Sequence, residues 1–304
     1  MEGLVYRSTG SWYDVKDLQN VFWKCRLKGK FKLDETIRSS NPIAVGDIVH
    51  FDIEDKKEET GMIYEIAHRT NYVARVSPQN RNLRHMIASN LDQSLLVATL
   101  KNPKTSSGFI DRFLVSCETY HIPAIIAFNK SDLYGPEEME RYAYLKSLYN
   151  KIGYQVLLFS AKEQSEIKAL LKILEGKKTL ISGHSGVGKS TLINVLMPGK
   201  DLKVMEVSDW SGKGMHTTTF AEMYDLNNNS KIIDTPGIRE LGIVDVAKEE
   251  LSGYFPEMRD RLQNCKFNNC LHLNEPQCAV QEAVIDGEID EERFSNYMSI
   301  LGSY

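Results

Sequence analysis

Three patterns in the 304-residue sequence predict an α/β fold with a mostly parallel sheet, preceded by a small β-barrel and followed by a helical metal-binding region. Between about residues 71 and 240, apolar runs of strand type alternate with helical stretches, as in a parallel sheet covered by helices. Ahead of that zone lie short alternating runs broken by turn residues. Behind it, a helical pattern is interrupted by a cluster of cysteines. The expected domains are 1–70, 71–240 and 241–304.

In the first zone, runs at 21–33, 47–53 and 62–66 are separated by Gly29, by Asn41-Pro42 and by the charged stretch 54–60. Such spacing suits a small barrel. In the second, strands are expected at 94–100, Ala124–Phe128, 155–159, 179–182 and 231–233, with helices at 137–152, 163–174 and Lys189–Leu196. In the third, helices are expected at 246–254, Ala279–Ile285 and Glu291–Leu301. The stretches 76–82 and 200–215 read as loops.

Composition narrows the class. Hydrophobic residues make up 42% and charged residues 26%, ordinary for a globular protein. No apolar run approaches the roughly 20 residues that span a bilayer. The N-terminus lacks the basic and apolar segments of a secretory signal, so a cytoplasmic location is expected. A net charge of −4 argues against a uniformly basic nucleic-acid coat but allows a local basic patch.

Gly183-His184-Ser185-Gly186-Val187-Gly188-Lys189-Ser190 matches G-x-x-x-x-G-K-[ST], after an apolar strand and at the start of a helix. The glycines let the backbone curl so that successive amides face phosphates, and the helix N-terminus adds positive potential. Lys189 is expected to reach the β- and γ-phosphates and Ser190 to hold Mg²⁺, with Thr191 completing the binding segment.

Asn129-Lys130-Ser131-Asp132 follows an apolar strand and resembles the guanine-reading motif of GTPases. The Asp132 carboxylate would accept N1–H and N2–H of guanine; adenine offers neither and would leave the carboxylate unpaired. One βα unit later, Ser160-Ala161-Lys162 resembles the second base-contacting motif, with the Ala161 amide facing guanine O6. Asp234-Thr235-Pro236-Gly237 fits D-x-x-G: Asp234 would hold Mg²⁺ through water and the Gly237 amide would sense the γ-phosphate. In Gly214-Met215-His216-Thr217-Thr218-Thr219, one threonine should complete the Mg²⁺ shell, and Thr218 is favoured. Ordinary GTPases place the phosphate loop first; here both base motifs precede it, a circular permutation that close domain termini allow. Reopening the chain after D-x-x-G leads the second switch straight into the C-terminal region, so γ-phosphate loss would pull on it.

Cys265-x₄-Cys270-x-His272-x₅-Cys278 supplies three thiolates and an imidazole, a closed tetrahedral shell for a structural zinc that staples a small domain. Cys25 and Cys117 stand apart. Near the N-terminus, Lys24, Arg26, Lys28, Lys30 and Lys32 alternate with Trp23, Leu27, Phe31 and Leu33. In a strand all five charges share one face; if Gly29 makes a turn instead, they still cluster across a hairpin. OB-type barrels commonly bind nucleic acid through such a surface, and Arg81 and Arg84 would extend it.

In this order the motifs NKSD, SAK, GHSGVGKS, GMHTTT, DTPG and the cysteine cluster resemble the bacterial ribosome small-subunit-dependent GTPase A family over nearly the whole chain. The resemblance implies a circularly permuted α/β P-loop GTPase with an N-terminal OB-fold barrel and a C-terminal helical zinc-binding domain. It implies GTP/GDP, Mg²⁺ and one structural Zn²⁺. It also implies a late-acting assembly factor that binds the small ribosomal subunit and its rRNA near the decoding centre. Such a factor hydrolyses GTP when docked and helps release other maturation factors; a monomer without membrane attachment is expected. Ile238, after D-x-x-G, cannot orient the attacking water as a glutamine does. The resemblance gives that task to His216, which joins Lys189 and Thr218 as the catalytic set. Two rival classes are a non-catalytic GTP-dependent binding module and an ATP-driven or small-molecule kinase; NKSD argues against the second.

Overall fold

A computed structural model describes residues 1–28, 39–76, 83–198, 221–227, 229–235, 243 and 246–304. Its first strands are β1 (Glu2–Ser8), β2 (Tyr13–Asp17), β3 (Phe22–Leu27), β4 (Ser39–Asn41), β5 (Ile48–Asp55) and β6 (Thr60–Ile66). Strands β1, β2, β3, β6 and β5 lie side by side in that order, and β5 returns to pair with β1, Leu4 opposite Ile48. Among the described residues this pairing closes the barrel, so neither β1 nor β5 stands as an open edge. Val5, Tyr13, Val15, Trp23, Cys25, Val49, Phe51 and Ile63 fill the barrel.

Along β3, Trp23 and Cys25 are buried while Lys24, Arg26 and, just beyond, Lys28 are exposed. Period-two geometry therefore does put these three charges on the outer face. The fold adds acids that the sequence pattern hides. Glu54 of β5 takes a forked pair of bonds from Arg26, at 2.8 and 3.2 Å, and Asp14 of β2 lies opposite Lys24. Lys30, Lys32, Phe31, Leu33 and Arg81 lie outside the described residues.

β7 (Tyr72–Val76) and β8 (Arg84–Ser89) pair antiparallel, and β4 joins β8 to make a separate three-stranded sheet. Asp47 links it to the barrel: its fully buried carboxylate accepts from Arg69, from the Ser89 hydroxyl at 2.6 Å and from the Ala44 amide at 2.8 Å. Arg69 bonds to both of its oxygens, so the buried carboxyl group accepts four hydrogen bonds among the described residues.

The next elements alternate: β9 (Gln93–Ala98), α1 (Ser107–Thr119), β10 (Ala124–Phe128), α2 (Pro136–Lys151), β11 (Gln155–Leu158), α3 (Gln164–Leu174), β12 (Lys178–Ser182) and α4 (Lys189–Leu196), then β13 (Glu222–Asp225) and β14 (Lys231–Asp234). The sheet order is β11-β10-β9-β12-β14-β13, parallel except for the β13–β14 pair. Leu96, Phe128, Leu180 and Ile233 pack on one face with α1 and α2; Leu95, Val97, Ile125 and Ile181 pack on the other with α3 and α4. Burial on both faces explains why these strands read as unbroken apolar runs. Central β12 is flanked by β14 and by β9, which comes much earlier in the chain. That neighbourhood is the permutation in three dimensions.

Helix α1 was not expected from the sequence. Ser106 caps it by accepting from the Phe109 amide, and Ile110, Phe113, Leu114 and Cys117 have helical spacing. Its face is buried on several sides, so the polar stripe that marks an amphipathic helix is thin. The expected helix at 246–254 needs correction: Lys248–Tyr254 is a 3₁₀ stretch. Phe255 precedes Pro256 and is pushed to extended angles (φ −109°, ψ 105°), which breaks continuity with α5 (Pro256–Arg259). α6 (Ala279–Ile285) and α7 (Glu291–Leu301) match the expected spans.

The C-terminal helices dock on α1 through a buried ionic cluster. Arg293, 1% exposed, donates to Asp111 and, at 2.7 Å, to Glu257. Asp111 also accepts from Tyr149 Oη at 2.7 Å and from Asn296 Nδ2 at 2.6 Å. Burial drives the Asp111 carboxyl upward; Arg293, Tyr149 and Asn296 pull it back. Val115, Phe255, Tyr297 and Ile300 close the surrounding apolar layer.

On the other flank, β1 meets β13 where Arg7 faces Glu222, and Asp225 accepts from Tyr6 Oη at 2.6 Å, Lys16 Nζ at 2.7 Å and Lys231 Nζ at 3.0 Å. Burial alone would raise this carboxyl, but those bonds hold it at about 2. A depressed folded-state pKa stabilises fully above the ordinary value of 3.8 and loses its effect between there and about 2. Asp225→Asn should therefore lower stability in urea melts at pH 7 by about 0.5–1 kcal/mol, discounted for its exposure, and by clearly less at pH 3. Equal losses at both pH values would contradict this role.

Candidate functional site

Every nucleotide-binding motif within the described residues lies at the C-terminal ends of the parallel strands, where open α/β sheets bind ligands. Asn129, 2% exposed, sits at the centre of the loops there. Its Nδ2 donates to Val187 O at 2.8 Å in the phosphate loop, and its Oδ1 accepts from the Ala161 amide at 3.0 Å. Its own backbone amide donates to Ala98 O at 2.8 Å. Lys130 has φ of +64°, and its Nζ reaches Gly186 O at 2.8 Å and also donates to Asn102 O.

At the base end, Asp132 accepts from Lys162 Nζ at 2.9 Å and from Ser160 Oγ at 2.7 Å. The Lys162 bond first, then the Ser160 bond, holds this carboxyl below the usual range. An ionised carboxylate is purely an acceptor and suits a ligand edge carrying two N–H groups. Ser131 Oγ donates to Glu166 Oε2 at 3.3 Å, and the Ser160 amide donates to the same oxygen. Sequence reasoning missed Glu166 and also Tyr134, whose hydroxyl donates to Asn129 O at 2.6 Å and accepts from the Leu100 amide. No motif spacing marks either residue.

In the phosphate loop Gly183 and Gly188 have φ of +140° and +99°; a Cβ on Gly183 would meet Val97 O at 2.3 Å and one on Gly188 would meet Asn129 Nδ2 at 2.4 Å. Only glycine fits both the angles and the space. Val187 is fully buried and anchors the loop to the core. Ser185 is exposed, and Ser190 and Thr191 lie half-buried on the first turn of α4. Lys189 Nζ bonds back to Gly183 O and to His184 O at 3.0 Å. Burial pushes this amine down while Asp234 pulls it up; burial pushes the Asp234 carboxyl up while Lys189 pulls it down. The hydroxyl of Ser190 and the carboxylate of Asp234 are hard oxygen donors of the kind Mg²⁺ takes. His216, Thr217, Thr218, Thr219 and Gly237 lie outside the described residues.

The cysteine cluster assembles as its spacing suggests. One ligand atom from each of Cys265, Cys270, His272 and Cys278 lies within 4.8 Å of the others. Cys270 and Cys278 sulfurs are 3.7 Å apart, and His272 Nδ1 is 3.2 Å from Cys278 Sγ and 3.8 Å from Cys265 Sγ. A tetrahedral ion with bonds of about 2.3 Å to sulfur needs sulfurs about 3.8 Å apart, so the donor set fits zinc. Burial pushes the Cys270 thiol up to about 12 and Cys278 upward too. A cation at the centre reverses that preference by binding the thiolates.

The RsgA GTPase family model matches residues 66–244, and the RsgA N-terminal domain model matches residues 2–63. The chain belongs to the RsgA GTPase family. It is 51% identical over 302 residues to the small ribosomal subunit biogenesis GTPase RsgA of Cytophaga hutchinsonii, covering 99% of this chain and 98% of that one. The RsgA of Christiangramia forsetii is 49% identical over 302 residues, covering 99% and 96%. Among solved structures, YjeQ from Thermotoga maritima superposes with a TM-score of 0.79 at 33% identity, covering 99% of this chain and 97% of that chain. YloQ, described as a circularly permuted GTPase, gives 0.75 at 32% identity, covering 99% and 94%. As an RsgA-family protein the chain is a GTP hydrolase with a permuted motif order.

If Cys265, Cys270, His272 and Cys278 hold a structural zinc, a strong chelator should open the region from 246 to 304 selectively. Hydrogen exchange would rise in α6 and α7 and stay low in the buried strands β9 and β12. Unchanged protection of α6 and α7 in metal-free protein would show that the cluster is no staple.

Proposed function

We propose that this protein binds the small ribosomal subunit and couples GTP hydrolysis to a late step of its maturation, including release of assembly factors. The pocket joined by Asn129 carries the GTP part of the reading. The partner rests on what the relatives are named for: small ribosomal subunit biogenesis.

In the proposed complex, guanine N1–H and N2–H donate to the Asp132 carboxylate, which Ser160 and Lys162 keep charged and aimed. The Ala161 N–H, engaged with Asn129 Oδ1, is shared with guanine O6 as a three-centre bond. Lys130 and Asn129 brace residues 186–187 from behind. The amides of residues 183–191 face the phosphates, and Lys189 leaves the Gly183 and His184 carbonyls for the β- and γ-phosphates. Ser190, Thr218 and Asp234 would hold Mg²⁺, which would neutralise phosphate charge there. The Gly237 amide senses the γ-phosphate. His216 orients the attacking water, with Lys189 and Thr218 completing the catalytic set.

The units we propose are a barrel over 1–70, a GTPase domain over 71–240 and a zinc-bound helical domain over 241–304, the zinc held by Cys265, Cys270, His272 and Cys278. Lys24, Arg26, Lys28, Lys30 and Lys32 form the rRNA-facing set. The working protein is a cytoplasmic monomer without membrane attachment; among the described residues no helix is long and apolar enough to cross a membrane.

GTP turnover measured with and without purified small subunits tests the reading. A stimulation of tenfold or more is expected, with His216→Ala stimulated far less than wild type. Turnover indifferent to small subunits would remove the proposed partner; equal stimulation of both proteins would remove the role of His216.

A further inference from the structure

We propose that Thr105 is a positioning residue for the phosphate loop, holding residues 183–185 in register with the nucleotide phosphates through the ring of His184. The proposal rests on the GTP-binding reading above and goes on to name what aligns that site.

Thr105 lies just before α1 and is 3% exposed. Its place is fixed by backbone: its amide donates to Thr99 O at 2.7 Å, and its hydroxyl accepts from the Thr99 amide at 2.9 Å. Ser106 then caps α1, so the residue stands at the head of a packed helix. The same hydroxyl is 2.7 Å from His184 Nε2, and His184 Nδ1 is 3.1 Å from Ser185 O. A carbonyl can only accept, so Nδ1 carries the ring proton. In a neutral imidazole Nε2 is then the acceptor, and the Thr105 hydroxyl donates to it. Three bonds thus run in one direction, from the Thr99 amide to Thr105, from Thr105 to His184, and from His184 to Ser185 O. Burial lowers the His184 pKa; the bond to Ser185 O pulls it back, Lys189 and Lys130 push it down again, and the net direction is downward, in keeping with a neutral ring. Phe109 meets the ring edge-on at 5.3 Å and 85°.

What the ring holds is the near half of the loop. Lys130 and Asn129 hold the far half at Gly186 O and Val187 O. His184 O is one of the two carbonyls that Lys189 grips, so a residue 184 whose ring has lost its Thr105 anchor has one restraint fewer on the backbone that presents that carbonyl and the next amide. The base end is built from Asp132, Ser160, Ala161 and Lys162 and does not touch Thr105.

Binding of GDP and of GMP to the full-length protein by calorimetry provides the test. Thr105→Val keeps the shape and loses the hydroxyl; it should weaken GDP about threefold to tenfold, the range one net hydrogen bond supplies. GMP, which lacks the β-phosphate, should weaken by less than twofold. Thr105→Ser restores the hydroxyl and should bring GDP affinity back. In a His184→Ala background, Thr105→Val should change GDP affinity no further, even though the Thr99 amide still loses its acceptor. Equal losses for GDP and GMP, no rescue by serine, or additive losses in the double variant would each overturn the proposal. All are read relative to wild type, so they stay separate from a wild-type protein that fails to bind GDP at all.

Discussion

The side-chain amide of Asn129 is the constraint on which the rest depends. One group, almost fully buried, donates to the phosphate loop at Val187 O and accepts from the base-reading loop at Ala161. An amide of fixed length thereby sets how far the phosphate cradle can stand from the base site. Gly188 is required because a Cβ there would collide with that amide. Such a residue tolerates little change, since losing either partner leaves a buried polar group unsatisfied.

Around that pocket, each flank is attached by a carboxylate. Asp47 fastens the three-stranded sheet to the barrel, Asp225 ties the barrel to the central sheet, and Asp111 receives Arg293 from the C-terminal helices. Asp47 and Asp111 are fully buried and Asp225 is partly open. Buried ion pairs give little net stability but penalise any arrangement that separates them, so they fix geometry more than they add free energy. Helix α1 occupies a particular position in this scheme. Its head leans on the phosphate loop through Thr105 and His184, and its middle grips Arg293.

The central sheet was legible because its strands are buried on both faces and therefore apolar throughout. Motifs whose spacing is dictated by phosphate and metal chemistry were legible for the same reason: few residue types can do the work. Helix α1 was missed because its burial thins the polar stripe. The 3₁₀ stretch Lys248–Tyr254 was read as α-helix because composition does not report hydrogen-bond pitch. The acids that temper the basic face of β3 were invisible because Glu54 and Asp14 come from other strands, and register is a property of the folded sheet. Glu166, Tyr134 and Thr105 act through one or two hydrogen bonds to motif residues, and such bonds leave no period or spacing in a sequence.

The central claim is that one pocket reads guanine at Asp132 and grips phosphate at Lys189. Titration calorimetry of GDP against ADP on the same preparation tests it most directly. GDP should bind at least a hundredfold tighter, because ADP would leave the charged Asp132 carboxylate facing a base edge without matching donors. Equal affinity for the two nucleotides would contradict it.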